Sequence, residues 1–480
     1  MNASPPSTLR TDEALILPRA QRWLVTLAIL FALVVAAFEG TGVSGAMPTI
    51  AAELGGLGAY AWVFSAFLSA STLGVLTCGK LADTFGRRPV FTAGVGLFLA
   101  ASALCGAARS IEALIVFRAL QGFGAGAIQP IAMTISADIY PLKERARIQG
   151  LYTAVWGSAN VLGPLLGGAL ILRLSWRWVF FVNLPVGLVA MALVLAAYRD
   201  PPRGERGPSG VGGAALAGVT AAVTLLALEP AGSMGGAARA LFALLAVALC
   251  VALDRQQRRS PAPLLTMTLA RNRVVQAALC AGLFSGGLLY AATAYVPLWM
   301  SRQMGRDPLS AGASLIPLLV GWSVGSTVGV RVLVRWGMRA SVAGGFAIAF
   351  AGATFLAAVV LLGLPAPLAY AALGLMGLGV GPAASGALIA AQTEAGWNER
   401  GMVTSVVYGA RMLGGALMVA ALGGKEGASS AANAASGPPA MRFIGIALGA
   451  LAAMVLLGTL SPAGRLRASL AGEPPADPGG

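Results

Sequence analysis

Long apolar runs alternate with short polar segments along almost the whole chain. The runs fall at about 22–46, 59–79, 90–108, 112–136, 149–172, 177–198, 211–229 and 238–253. After a basic stretch they resume at about 274–300, 309–331, 340–363, 367–391, 401–423 and 441–460. A helix needs about 20 apolar residues to cross a bilayer. The pattern therefore predicts an all-α integral membrane protein with about fourteen spans. The eighth run, Arg239–Leu253, is short and the weakest of the set. An even number of spans places both termini on one side.

Composition strengthens this picture. Of the 480 residues, 57% are hydrophobic and 11% charged, against about 25% charged in soluble domains. Most of the 64 glycines, with Pro130, Pro164, Pro185, Pro297 and Pro382 among the 27 prolines, lie inside the apolar runs, as they do in polytopic membrane helices. A soluble enzyme is excluded. Histidine is absent, which removes imidazole bases, Ser-His-Asp sites and His-ligated metals. Cys78, Cys105, Cys250 and Cys280 form no C-x-x-C pair, so neither a zinc site nor a disulfide framework is expected.

The formal charge of +15 sits in short clusters between the runs. That is a topology signal and not a nucleic-acid surface. With a cytoplasmic N-terminus, 23 of the 33 Lys and Arg residues fall in inner segments and 8 in outer ones. Both termini are thus expected in the cytoplasm, with the chain in the cell's inner (plasma) membrane. The first run follows Asp12 and Glu13 and has no small-residue cleavage site, so it reads as a retained helix. The segment 254–273 mixes basic and apolar residues and is expected along the membrane surface. The outer loop 424–440 and the tail 461–480 read as mobile.

Two soluble-enzyme patterns are decoys. Gly74 to Lys80 has the spacing of a phosphate-binding loop, but Leu81 stands where Ser or Thr would hold magnesium. Gly321-Trp322-Ser323-Val324-Gly325 has the form of a nucleophile elbow, yet no histidine exists to activate Ser323. Gly321, Gly325 and Gly329 read instead as a small-residue face for close helix packing.

The loop from Gly79 to Pro89 carries Asp83, Gly86, Arg87 and Arg88. Physically, Asp83 suits a helix N-terminus and the arginines suit carboxylates or lipid phosphates. The string resembles the loop-2–3 signature of the major facilitator superfamily. Arg118-Ala-Leu-Gln121-Gly122-Phe-Gly124 is similar to that family's conserved-arginine motif. Gly157, Gly163, Pro164, Gly167 and Gly168 resemble its antiporter motif. Trp176 to Gly187, with Asn183 and Pro185, resembles the start of span six in its fourteen-helix drug:proton antiporters. Span one ends Phe38-Glu39-Gly40-Thr41, with Glu39 where that family more often has Asp. The resemblance covers about 22–460 and is mostly hydropathic beyond Gly187.

It implies two six-helix bundles, 22–198 and 274–460, with two extra helices and a basic loop in the linker 199–273. Residues 1–21 and 461–480 are then cytoplasmic ends. It further implies proton-driven export of lipophilic compounds by a monomer, needing no cofactor beyond a proton gradient. The same fold could export an endogenous lipid, antibiotic or metabolite. A non-transporting membrane sensor or assembly factor is the reading that the motifs argue against. The second half carries a faded copy of the loop motif: Arg335-Trp336-Gly337-Met338-Arg339 resembles Phe85 to Arg88, with Val334 in place of Asp83.

Charge inside a span costs about 2.5–3.5 kcal/mol on insertion scales and marks a functional candidate. Glu39 and Arg118 each lie some six or seven residues from the outer ends of their runs, about 10 Å deep at 1.5 Å per residue. At matching depth they form either a structural ion pair or a proton-coupling site. Arg411 lies well inside the second half with no evident partner, and Asp138, Glu144 and Arg145 read as an inner gate network. Tyr60, Phe64, Phe67, Trp156, Asn160, Tyr290 and Tyr295 are pocket candidates whose rings would suit lipophilic ligands, cations among them.

Overall fold

The computed structural model describes residues 18–55, 59–140, 142–200, 210–227, 236–260, 266–395, 399–422 and 439–460. Every regular element among them is helical. The first half comprises α1 (Arg19–Leu54), α2 (Tyr60–Phe85), α3 (Arg87–Gly106), α4 (Ile111–Ile139), α5 (Leu142–Arg173), α6 (Trp178–Phe181) and α7 (Asn183–Ala197). Two helices follow, α8 (Val211–Ala227) and α9 (Gly236–Arg259), and then the short α10 (Met267–Arg271). The second half comprises α11 (Arg273–Gln303), α12 (Pro308–Ala313), α13 (Ile316–Trp336), α14 (Met338–Leu361), α15 (Ala366–Glu394), α16 (Arg400–Leu422) and α17 (Pro439–Leu460).

Among the described residues, 12 helical stretches are long and apolar enough to span a membrane. The expected count of fourteen is therefore not reached. The other two expected spans correspond to the shorter apolar stretches Val211–Thr224 and Ile444–Gly458. The weak eighth run, by contrast, is a full span within α9. Two expected single spans are interrupted. Residues 177–198 divide into α6 and α7 at Val182, and the run at 309–331 divides into α12 and α13 at Ser314 and Leu315. Residues 461–480 and most of 424–440 lie outside the described residues.

Each half repeats one packing scheme: α2 and α3 both pack on α4, as α13 and α14 pack on α15. In lipid, apolar surface alone does not drive helices together, so close van der Waals contact must. Glycines supply it. Gly122 and Gly126 of α4 abut the backbone of Phe67 and Ser71 on α2, leaving no room for a methyl group. Gly321, Gly325 and Gly329 face Gly374, Leu378 and Pro382 of α15 in the same way, as their spacing predicts. The turns repeat too. Gly86 joins α2 to α3 at φ +103°, and Gly337 joins α13 to α14 at φ +87°. That left-handed backbone suits glycine and explains its place in both copies of the loop motif.

Helix α8 lies on α2, where Gly218 abuts Leu73. Behind it α9 turns Leu241, Leu244 and Val247 outward, as a lipid-facing helix must. One end of the bundle carries the Gly86 and Gly337 turns with Arg87, Arg88, Arg335 and Arg339 and is called the basic end below. The opposite end is the far end. There a single apolar cluster runs from Phe38, Tyr60, Phe64 and Trp176 of the first half into Val296, Trp299 and Leu315 of the second.

Candidate functional site

The apolar run of α1 holds Glu39, and the Gly-rich face of α4 brings Arg118 beside it. Both are almost fully buried, at 1% and 2% exposed. Arg118 Nη1 donates to Glu39 Oε1 in an ion pair and to Gln121 Oε1 at 2.8 Å. Gln121 Nε2 and Asn183 Nδ2 each donate to Glu39 Oε2 at 2.9 Å. The same two amides donate to Ser102 Oγ at 3.1 and 3.2 Å, and the Ser102 hydroxyl donates to Phe180 O at 2.9 Å. The guanidinium carbon stands 4.1 Å from the Phe67 ring centroid, which adds a cation–π contact.

Five buried side chains from α1, α3, α4 and α7 thus satisfy one another. Charge-assisted hydrogen bonds of this kind are roughly twice as strong as neutral ones. They replace the solvation that a buried carboxylate loses. Sequence reasoning paired Glu39 with Arg118 by depth. Gln121 and Asn183 stand within motifs that give them no role by themselves, and Ser102 is not marked at all. A lone serine in an apolar helix carries no sequence signal.

The antiporter-like glycines of α5 sit against two neighbours. Gly163 and Gly167 abut Thr41 and Gly42 of α1, and Gly168 abuts Leu309 of α12. A Cβ on Gly312 would stand 3.0 Å from Pro164 O, and one on Gly45 would stand 3.2 Å from Gly312 Cα. Helix α5 runs through Pro164 without a break. Thus α5 closes on α1 within its own half and on α12 of the other half, at the far end. Tyr60 Oη donates to Ala294 O at 2.8 Å across the halves. The Tyr60 ring lies 5.6 Å from Phe64 and 6.3 Å from Tyr295. Tyr295 Oη in turn donates to Val419 O at 2.6 Å. All three rings are buried in the far-end seal. Of the other pocket candidates, Phe67 is covered by Arg118, Trp156 is half-buried, and the Asn160 side chain lies outside the described residues.

At the basic end Arg87 pairs with Asp138. Tyr198 Oη donates to Asp138 Oδ2 at 2.7 Å. Burial and the Asp138 carboxylate push the Tyr198 phenol well above its usual range, so it remains a donor. The backbone N–H groups of Arg87 and Arg88 donate to Asp200 Oδ1 at 2.8 and 3.0 Å. That capping role at the start of α3 falls to Asp200, a residue sequence reasoning did not single out. Glu144 pairs with Arg22 at 3.2 Å. The side chains of Asp83 and Arg145 lie outside the described residues. Gly79 faces α16, where a Cβ on it would stand 3.9 Å from Ser405 Oγ.

Two repeated helical halves meeting across a sealed far end, with a buried ion pair in one half, define a polytopic membrane transporter. Residues 29–419 match the family model described as Major Facilitator Superfamily. The Bacillus subtilis "Multidrug transporter protein MdtP" is 32% identical over 421 residues, 86% of this chain and 76% of that one. "Multidrug resistance protein 3" of the same organism is 33% identical over 319 residues, 65% of this chain and 61% of that one. Among solved structures, an auto-inhibited POT family peptide transporter aligns with TM-score 0.66 at 17% identity, covering 90% of this chain and 96% of that one. A D-xylose–proton symporter aligns with TM-score 0.64 at 13% identity, covering 92% and 98%. The chain belongs to the major facilitator superfamily. It is a transport protein and not an enzyme.

Proposed function

We propose that this protein is a proton-coupled antiporter that exports lipophilic compounds by alternating access, with Glu39 as the group that takes and releases the proton. In this reading the basic end faces the cytoplasm and the chain sits in the plasma membrane as a monomer, as its charge distribution suggests. The observation that carries the reading is the buried Glu39 carboxylate, whose charge rests on donors from Arg118, Gln121 and Asn183. Protonation would leave Arg118 without its counter-charge. The network would then have to rearrange, and because it joins α1 to α3, α4 and α7, it could tilt the whole half. The seal that α5 makes with α1 and α12 supplies the element to be opened. The two multidrug-named relatives support lipophilic cargo, and the resemblance of the α5 motif to that of antiporters supports export.

The test is proton movement in proteoliposomes on addition of lipophilic compounds, comparing the native protein with Glu39→Gln. Proton release by the native protein, with loss of at least about tenfold in the variant, is the expected result; a tenfold change corresponds to about 1.4 kcal/mol. Retention of a single cooperative unfolding transition, shifted down because Arg118 loses its counter-charge, would show that the variant still folds. Equal proton release by both proteins would remove Glu39 from the coupling step.

A further inference from the structure

Arg411 lies midway along α16. Its guanidinium carbon sits 4.6 Å from the centroid of the Trp322 ring on α13. Its aliphatic stem lies against Gly286 of α11, one turn before Tyr290. The side chain is partly exposed, yet its Nε is fully covered and has no hydrogen-bond partner. The Trp322 Nε1, just beneath it, is likewise covered and unpartnered. Tyr290 Oη donates only to Met412 Sδ, at 3.4 Å, and a thioether is a weak acceptor. Among the described residues no carboxylate pairs with Arg411.

Arg411 and Trp322 therefore stack at mid-depth, with the Tyr290 hydroxyl against the residue next to Arg411, and among the described residues no oxygen acceptor answers Arg411 Nε, Trp322 Nε1 or Tyr290 Oη. Buried donors left unsatisfied are costly, and a cation at mid-membrane is costlier still. What this cluster lacks is an anion with acceptor oxygens. A planar guanidinium stacked on an indole still presents its in-plane N–H groups, the geometry that binds a carboxylate by two parallel bonds. The first half leaves no comparable opening, because Arg118 is already neutralised by Glu39.

We infer that Arg411, Trp322 and Tyr290 form a subsite for the acidic group of the cargo, so that the transported compounds include lipophilic monoanions such as aryl or alkyl carboxylates. This rests on the transport reading above but needs neither turnover nor a proton gradient. It also reverses the sign expected from the aromatic candidates. The rings of Tyr60, Phe64 and Tyr295 pack on one another, and Phe67 already holds an arginine. A lipid phosphate offers the same chemistry, but headgroups lie at the bilayer surfaces and Arg411 lies half a span away from them.

The test is equilibrium binding of 2-naphthylacetate and its uncharged amide, 2-naphthylacetamide, to the purified full chain in phosphatidylcholine nanodiscs. The acid should bind the native protein about tenfold more tightly than the amide, the size expected for hydrogen bonds to a charged group. Arg411→Gln should erase that preference, and Arg411→Lys should restore part of it. Trp322→Phe keeps the ring but removes the N–H, and should lower acid affinity severalfold while sparing the amide. Equal affinity for acid and amide in the native protein, absence of binding by both included, would overturn the inference. So would a preference for the acid that survives Arg411→Gln. Loss of the preference in phosphatidylglycerol discs would assign Arg411 to lipid and overturn the cargo assignment. None of these failures touches the Glu39 coupling reading, which proton movement tests separately.

Discussion

Arg118 and Arg411 both lie deep within membrane-spanning helices, and their surroundings differ sharply. Arg118 has a carboxylate, an amide oxygen, a backbone carbonyl and an aromatic face. Arg411 has an aromatic face and, among the described residues, no carboxylate. Yet the backbones around them follow one plan, with glycine-lined contacts and a positive-φ glycine turn in each half. The halves thus share their packing but not the buried ion pair. One half holds a closed polar network, the proposed proton switch. The other holds a donor cluster, the proposed cargo subsite. If both readings hold, the duplicated scaffold divides energy coupling and cargo recognition between its copies.

The sharpest way to break this comparison is to remove each arginine in turn and measure unfolding of the purified protein. Arg118→Gln strands Glu39 as a buried, poorly paired charge. Losing one partner of a buried pair typically costs about 3–5 kcal/mol. Adding Glu39→Gln should recover much of that loss, because both charges are then gone. Arg411→Gln strands no carboxylate and should be neutral or stabilising within about 1 kcal/mol. Comparable destabilisation by both single variants would mean that Arg411 has a structural partner, and the division between the halves would fail.

Packing should show the opposite pattern, with the two halves responding alike. Gly122→Ala drives a methyl group into Phe67 O of α2, and Gly377→Ala drives one into Leu318 O of α13. Overpacking of this kind typically costs about 1–3 kcal/mol, and similar values are expected for both. Gly168→Ala differs because its methyl group would meet Leu309 across the halves. It should weaken far-end closure by a similar amount while leaving each half folded. Faster labelling of a cysteine placed at Ser44, which is buried under that seal, is the measurable consequence. Unchanged labelling would show that α5 and α12 do not hold the far end shut.

Much of this architecture was legible in the sequence, and the gaps have physical causes. Charges in apolar runs stand out, so Glu39 and Arg118 could be paired by depth before any contact was known. Ser102 could not, because a small hydroxyl inside a helix usually bonds its own backbone, as Ser69 and Thr72 do here. The glycines of α5 marked a close approach without naming its partners, since α1 and α12 are distant in sequence. The far-end tyrosines suggested a pocket for the same reason: ring chemistry is visible in sequence, and who covers the ring is not. The break between α12 and α13 at Ser314 was hidden inside one continuous apolar run. The Asp307-Pro308 pair ahead of it marks a helix start, but not where that helix stops.

That pair allows the finest test of the two halves, at their far-end caps. Ser110 caps α4, its Oγ accepting from Ala113 N at 3.2 Å, whereas Asp307 caps α12 by accepting from Leu309 N at 2.9 Å and Ser310 N at 3.0 Å. Either cap should contribute about 1 kcal/mol to its helix, but only one of them titrates. The Ser310 hydroxyl and these N–H groups hold the Asp307 carboxyl below its usual range. A depressed folded-state value means that the cap contributes fully above the ordinary Asp value of about 3.9. The contribution is lost as pH falls through the lower folded value. Acidification should therefore loosen α12 and raise labelling at position 44 relative to a fully exposed cysteine at the same pH, with little relative change at the start of α4. Asp307→Asn keeps an acceptor and should flatten the pH response. An acid response that persists in Asp307→Asn would place the titrating group elsewhere.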